Sequence, residues 1–117
     1  MEIISTAAAC LAAVIFAEAR GEPIDGQIAV GQVILNRVEG QHWPDDVCAV
    51  AQQPNQFASL TPDQERIDLA TAILNGEHED LSNGATHFYS GSDPWWAKRL
   101  IFVGTIAGHT FMEEVRT

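Results

Sequence analysis

The sequence predicts an α+β fold, mostly helical, with a small antiparallel sheet at its C-terminal end. Apolar residues recur at helical spacing from the N-terminal end to Leu74, and the pattern turns strand-like after Gly84. The 117 residues suffice for one hydrophobic core but not for two. One domain covering residues 1–117 is therefore expected.

The first helix is expected over about residues 3–20. Ala, Leu, Val, Ile and Phe occupy most of its circumference, the mark of a central, buried helix. A second runs from Asp25, read as its N-cap, to Val38, with Ile28, Val30, Val33, Ile34 and Val38 at helical spacing and Gly40 as the stop. A short third helix follows Trp43-Pro44 and carries Val47, Cys48, Val50 and Ala51. The stretch from Gln52 to Gln56 is a polar loop. Thr61-Pro62-Asp63-Gln64 reads as a helix start, with Thr61 as N-cap, Pro62 at the first turn and Gln64 completing a capping box. That helix continues through Ile67, Ala70, Ile73 and Leu74 to Gly76. Ala85 to Ser90 reads as a strand, and Leu100–Ile106 with His109–Val115 as a hairpin around Ala107-Gly108.

Composition narrows the function. Hydrophobic content of 46% and charged content of 19% are those of an ordinary globular protein. Sixteen acidic residues against six basic ones give a net charge of −10. Such a chain cannot neutralise phosphates, which excludes nucleic acid as partner, and it is not drawn to an anionic membrane surface. The apolar N-terminal stretch lacks a basic flank and is too short to span a bilayer, so no membrane insertion is expected, and synthesis in the cytoplasm without a signal peptide is. Cys10 and Cys48 permit one disulfide without suggesting a disulfide scaffold; free buried thiols are the expectation.

The chemistry points to Glu18. This carboxylate ends the nearly uncharged run that begins at Thr6, immediately before a turn at Gly21 and Glu22-Pro23. An acid placed where apolar burial meets a turn can have a raised pKa and still be reached by substrate, which suits proton donation to a glycosidic oxygen. The alternative is a helix-capping glutamate, or one paired with Arg20 or Arg37. Glu22, four residues on, would provide a two-carboxylate mechanism if the carboxyls lay about 5–9 Å apart. Pro23 disfavours helix at Glu22, so a supporting role is assigned to it.

Other candidates are weaker. Gln56, beside Phe57, is placed to hydrogen-bond an N-acetyl group. Thr86, His87 and Tyr89 lie on one predicted strand, one face of which can line a groove. His87 points opposite to Thr86 and reads equally as a structural histidine. Asn36 is assigned to holding the turn after Glu18. Trp43, Trp95 and Trp96 suit either sugar stacking or the core, although adjacent Trp95 and Trp96 are not expected to be wholly buried together.

The blocks Glu18-Ala19-Arg20-Gly21-Glu22-Pro23, Gly26 to Gly31 and Val33 to Val38 resemble the spore-cortex-lytic-enzyme type of cell-wall hydrolases. The likeness continues through Trp43-Pro44, Gln56-Phe57, Ala85 to Tyr89 and Gly108 to Phe111, about residues 15–112 in all. The resemblance implies a lysozyme-like catalytic domain, a lytic transglycosylase acting on peptidoglycan glycan strands, with Glu18 as general acid and base. It implies no metal and no cofactor. A monomer is expected, acting on the bacterial cell wall after release or delivery.

Rival readings remain at this stage. A metal-dependent hydrolase would draw on His42, His78, His87 and His109, but their spacing matches no ligand motif. A non-catalytic carbohydrate-binding module and lysozyme-type hydrolysis of the same bond are the others. A phage lysin and a catalytic piece of a longer wall enzyme are both compatible with so short and acidic a chain.

Overall fold

The computed structural model describes residues 5–115. Among them are α1 (Thr6–Ala19), α2 (Ile24–Glu39), α3 (Val47–Ala51), α4 (Gln64–Leu74), β1 (His87–Tyr89), β2 (Ile101–Ile106) and β3 (His109–Glu113), with a 3-10 turn at Ala97–Arg99 before β2. The α+β, mostly helical fold with a small C-terminal sheet is thus as expected. Ile3, the expected first residue of α1, lies outside the described residues.

Helix starts follow side-chain caps. Ser5 accepts from Ala8 N–H at the head of α1, and Asp46 from Ala49 N–H at the head of α3. At α4 the cap is Asp63, which accepts from Arg66 N–H, and not Thr61. Pro62 therefore precedes the cap instead of occupying the first turn. Pro23 stands at the N-cap position of α2, and Asp25 lies in the first turn, where its charge complements the helix dipole.

The core forms in two parts on either side of α2. On one side Leu11, Val14 and Ile15 of α1 meet Ile28 and Ile34 of α2, Val50 of α3, and Ala70 and Ile73 of α4. Full burial of each large aliphatic contributes roughly 1.5–3 kcal/mol. A Cβ at Gly31 would stand 2.9 Å from Ile73 Cδ1 and 3.0 Å from Ile15 Cδ1, so the glycine lets α2 approach both neighbours. On the other side Ala29, Val30 and Val33 pack with Ala19, Ala85 and Phe111 of β3. No helix among the described residues is long and apolar enough to cross a membrane.

The sheet is antiparallel in the order β1-β3-β2. Tyr89 stands opposite Thr110, and a bulge interrupts the β2–β3 register between Phe102 and Gly104. The hairpin turn places Ala107 at φ 51°, in the left-handed region.

Cys10 and Cys48 form a disulfide, contrary to the expectation of free thiols. Packing of α3 on α1 brings their Cα atoms to 5.2 Å, well inside bridging range. The sequence separation of 38 residues gave no hint of that approach.

Candidate active site

Glu18 lies on the last turn of α1, and the chain around it is fixed from several directions. Glu22 N–H donates to Ala19 O (2.9 Å), closing the turn that follows the helix. Gln27, buried in α2, donates through Nε2 to Glu22 O (2.8 Å) and accepts through Oε1 from Arg66 Nε (2.9 Å). The loop after α3 is tied to α1 by Leu60 N–H donating to Ala13 O (3.2 Å).

A cleft of about 430 Å³ opens at this point. Its lining includes Glu18, Arg37, Gln56, Phe57, His87, Trp95, Trp96 and Arg99. Among the described residues Glu18 is the one carboxylate lining the cleft. A separate depression of about 470 Å³ does not include Glu18 and is rimmed by Glu39, Glu113 and Glu114, the wrong charge for an anionic strand. The Glu18 cleft is therefore the candidate site.

Burial raises the Glu18 pKa above its ordinary 4.5; a backbone hydrogen bond from Ala58 and the charge of His109 oppose that rise. No basic side chain among the described residues forms an ion pair with Glu18. Arg20 lies over the Phe16 ring at 4.8 Å instead. The alternative of a paired glutamate is thereby set aside.

Arg37 ties several of these residues together. Its side chain is 2% exposed, donates from Nε to Thr86 O (2.7 Å) and from Nη1 to Gln56 Oε1 (3.0 Å), and lies between the Trp43 and Phe57 rings at 5.1 and 4.7 Å. Burial lowers its pKa to about 10, with Glu114 pulling the other way, so it is a cation at neutral pH. The same burial, aided by Arg37, lowers His87 to about 4, which makes the imidazole neutral at pH 7. His87 Nδ1 lies 3.0 Å from Thr86 Oγ1, and the ring stands 5.6 Å from Trp96.

The expected supporting residues divide. Gln56 and His87 line the cleft with Glu18. Thr86 and Asn36 open onto the separate acidic depression. Thr86 Oγ1 accepts from Glu114 N–H (3.0 Å). Asn36 Nδ2 donates to Ser82 Oγ (2.9 Å) and Ala85 O (2.8 Å), so it fixes the approach to β1 and not the turn after Glu18. Tyr89 lies outside the cleft; its hydroxyl donates to Asp93 Oδ1 (2.6 Å), a bond that raises its pKa. Glu22 turns away from the cleft to the hairpin, where Oε2 accepts from Gly108 N–H (3.2 Å).

Sequence reasoning missed Arg99, and it named His109 only as a ligand of the rival metal reading and as part of the family likeness, not as a neighbour of Glu18. Arg99 follows Trp96 in a 3-10 turn that has no marked start signal. His109, 5% exposed, sets its ring edge-on to Phe88 at 5.4 Å behind the cleft wall. Its place three residues before the buried Met112 on a strand gave no sign of nearness to Glu18.

Comparison with known proteins gives this geometry its relatives. The family described as Cell Wall Hydrolase matches residues 21–112. The spore cortex-lytic enzyme of Halalkalibacterium halodurans is 38% identical over 87 residues, covering 68% of this chain and 26% of that protein. That of Bacillus subtilis is 31% identical over 114 residues, covering 88% of this chain and 36% of that protein. The chain thus spans between 26% and 36% of the length of these curated relatives. Among solved structures, the catalytic domain of the germination-specific lytic transglycosylase SleB from Bacillus anthracis superposes with a TM-score of 0.81 at 28% identity, over 93% of this chain and 96% of that one. The catalytic domain of the Bacillus cereus SleB protein gives 0.79 at 28% identity.

Proposed function

The chain belongs to the cell wall hydrolase family, and from that premise we propose that it degrades peptidoglycan by cleaving the β-1,4 bond between N-acetylmuramic acid and N-acetylglucosamine. The observation that carries the reading is Glu18: a half-buried carboxyl with a raised pKa, and among the described residues the one carboxylate in its cleft. A mechanism that needs two carboxylates about the scissile bond finds one among the described residues that line this cleft. A lytic transglycosylase needs one.

Protonated Glu18 donates its proton to the glycosidic oxygen, and the bond from that oxygen to muramic C1 breaks. The resulting carboxylate then takes the proton of the muramic C6 hydroxyl as its oxygen bonds to C1. A 1,6-anhydro ring closes, the N-acetylglucosamine end leaves with its new hydroxyl, and Glu18 is again protonated. No water is consumed. The same group serves as acid and base, which requires a pKa closer to neutrality than that of an exposed glutamate. Arg37 holds Gln56 at the cleft; in this reading the Gln56 amide binds an N-acetyl group, and Trp95 and Trp96 stack on sugar rings. Neutral His87 serves as a hydrogen-bonding wall residue. No step calls for a metal or cofactor. The catalytic unit is the whole chain, working as a monomer on glycan strands of the bacterial wall.

The test is digestion of purified peptidoglycan with wild type and Glu18→Gln in parallel, followed by mass spectrometry. Anhydromuramic products from wild type and none from the variant are expected. Products carrying an added water would replace transglycosylation by lysozyme-type hydrolysis, and products from both proteins would remove Glu18 from the mechanism.

A further inference from the structure

Trp95 belongs to two clefts at once. It lines the Glu18 cleft, and it also lines an adjoining depression of about 350 Å³ together with Tyr89, Lys98 and Phe102. Its ring is 71% exposed and Phe102 is 61% exposed, the two most exposed large hydrophobic side chains among the described residues. Exposed aromatics clustered at the rim of a groove mark an interaction surface more often than chance. Arg99 lies over the Trp95 ring at 5.4 Å.

Charge distinguishes the same surface. The chain holds six basic residues against 16 acidic ones, yet Arg37 and Arg99 line the first cleft and Lys98 the second. The second depression has one carboxylate, Asp93, and that accepts the Tyr89 hydroxyl at 2.6 Å. The overall field of this protein repels an anionic wall polymer. Three of its six basic side chains stand in these two clefts.

We propose that the glycan groove continues across Trp95 into this second depression, which binds a further saccharide of the same strand. Phe102 and Trp95 stack on its apolar faces, and Lys98 meets a carboxylate of the strand. The carboxylate is borne either by the stem peptide or by the lactyl group of a muramic residue stripped of peptide. The inference rests on the reading that the Glu18 cleft holds glycan, and it deepens that reading by assigning the enzyme a preference for long, anionic strands.

Binding is measured in the Glu18→Gln background, so that it does not depend on turnover. Tryptophan fluorescence is followed on titration with glycan fragments of increasing length, both stem-bearing and amidase-stripped. Affinity is expected to rise with length. Phe102→Ser is expected to weaken binding of long strands about 10-fold, the size of one aromatic contact, and so to flatten the length dependence. Lys98→Glu is expected to weaken it more at low salt than at high. An effect of Lys98→Glu confined to stem-bearing strands assigns the carboxylate to the peptide; an effect confined to amidase-stripped strands assigns it to the lactyl group, and an effect on both means that Lys98 accepts either. Both side chains are solvent-facing, and thermal melts establish that the variants fold. Length dependence unchanged in both variants, or affinity that does not rise with length in the parent, would overturn the proposal. Cleavage by wild type is assayed separately, and its absence would count against the proposed reaction and not against the subsite.

Discussion

The Oε1 atom of Glu22 lies 3.3 Å from Nδ1 of His109, joining the turn between α1 and α2 to the start of β3. The contact is electrostatic: its angle does not make a hydrogen bond, and the buried Nδ1 has no other partner. The second Glu22 oxygen binds the Gly108 N–H. One carboxylate thus secures the hairpin tip and holds an imidazole whose charge acts on Glu18. Glu22, expected as a supporting residue of the site, faces the hairpin and does not line the Glu18 cleft.

Glu22→Ala is expected to lower stability by about 1 kcal/mol, the net worth of one such hydrogen bond, and to reduce wall lysis. Gly108→Ala provides a second route to the same defect, because its Cβ would stand 2.5 Å from Glu22 Oε1 and push the carboxylate aside. Thermal unfolding and a turbidity assay check both. Two variants with wild-type melting and lysis would show that the bracket is idle.

Glu18→Gln is expected to lose about 10²–10⁴-fold in rate, the usual contribution of a general acid and base. Its stability should move the other way. A carboxyl whose folded pKa is raised favours folding below its unfolded pKa of 4.5 and loses that contribution as pH rises through the folded value. The variant should therefore melt at or above wild type at pH 7, with the difference gone near pH 4. A melting temperature below wild type at pH 7 would contradict a desolvated carboxyl.

His87 carries the opposite dependence. With its pKa lowered from 6.5 to about 4, the fold favours the neutral ring, and that contribution is complete above pH 6.5 and lost as pH falls towards 4. Solvent access to the ring reduces the effect without changing its sign. Comparison of wild type with His87→Gln by melting at pH 7 and pH 4 should show the larger acid loss in wild type. Parallel losses would place the titration elsewhere.

Arg37→Lys removes a planar cation that holds Thr86 O and Gln56 Oε1 between two aromatic rings. Lysine cannot reproduce that geometry, and a loss of about 1.5–3 kcal/mol is expected, as for a hydrogen bond to a charged group. Arg37→Gln, which removes the charge, should let His87 titrate above its present value of about 4. An NMR titration of the His87 ring reads this directly, and an unmoved midpoint would exclude the coupling.

Reduction of the Cys10–Cys48 disulfide should lower stability by about 2–4 kcal/mol, given the length of chain it closes. Melting with and without dithiothreitol measures the effect, and a Cys10→Ser/Cys48→Ser protein should match the reduced sample. Equal melting under both conditions would mean that α3 packs on α1 unaided.

Most of the fold was legible because its signals are local. The apolar circumference of α1, the spacing in α2 and the change of period after Gly84 each report on neighbouring residues. Glu18 was legible for the same reason, since the run before it and the turn after it announce a half-buried acid. What escaped depends on contacts between distant segments. Nothing near Cys10 says that α3 will lie against it, and nothing near Asn36 names Ser82 and Ala85 as its partners. At α4 two caps competed, and Asp63 prevailed over Thr61 because its carboxylate reaches the Arg66 N–H. The cleft itself joins five separated stretches of chain, so Arg99 could enter it without any local mark.

The helix that carries Glu18 is also the one around which α2, α3 and α4 assemble. The acid is thus anchored to the helix that packs against α2, α3 and α4, whereas other walls of the cleft come from the loop at Gln56 and the short turn that presents Trp95, Trp96 and Arg99. On the proposed reaction, chemistry and selectivity are consequently housed in separable parts of the chain. Sequence change in those walls can retune which strands are accepted while the reacting group stays in place, and the same division gives an engineer a route to altered wall specificity that leaves the core alone.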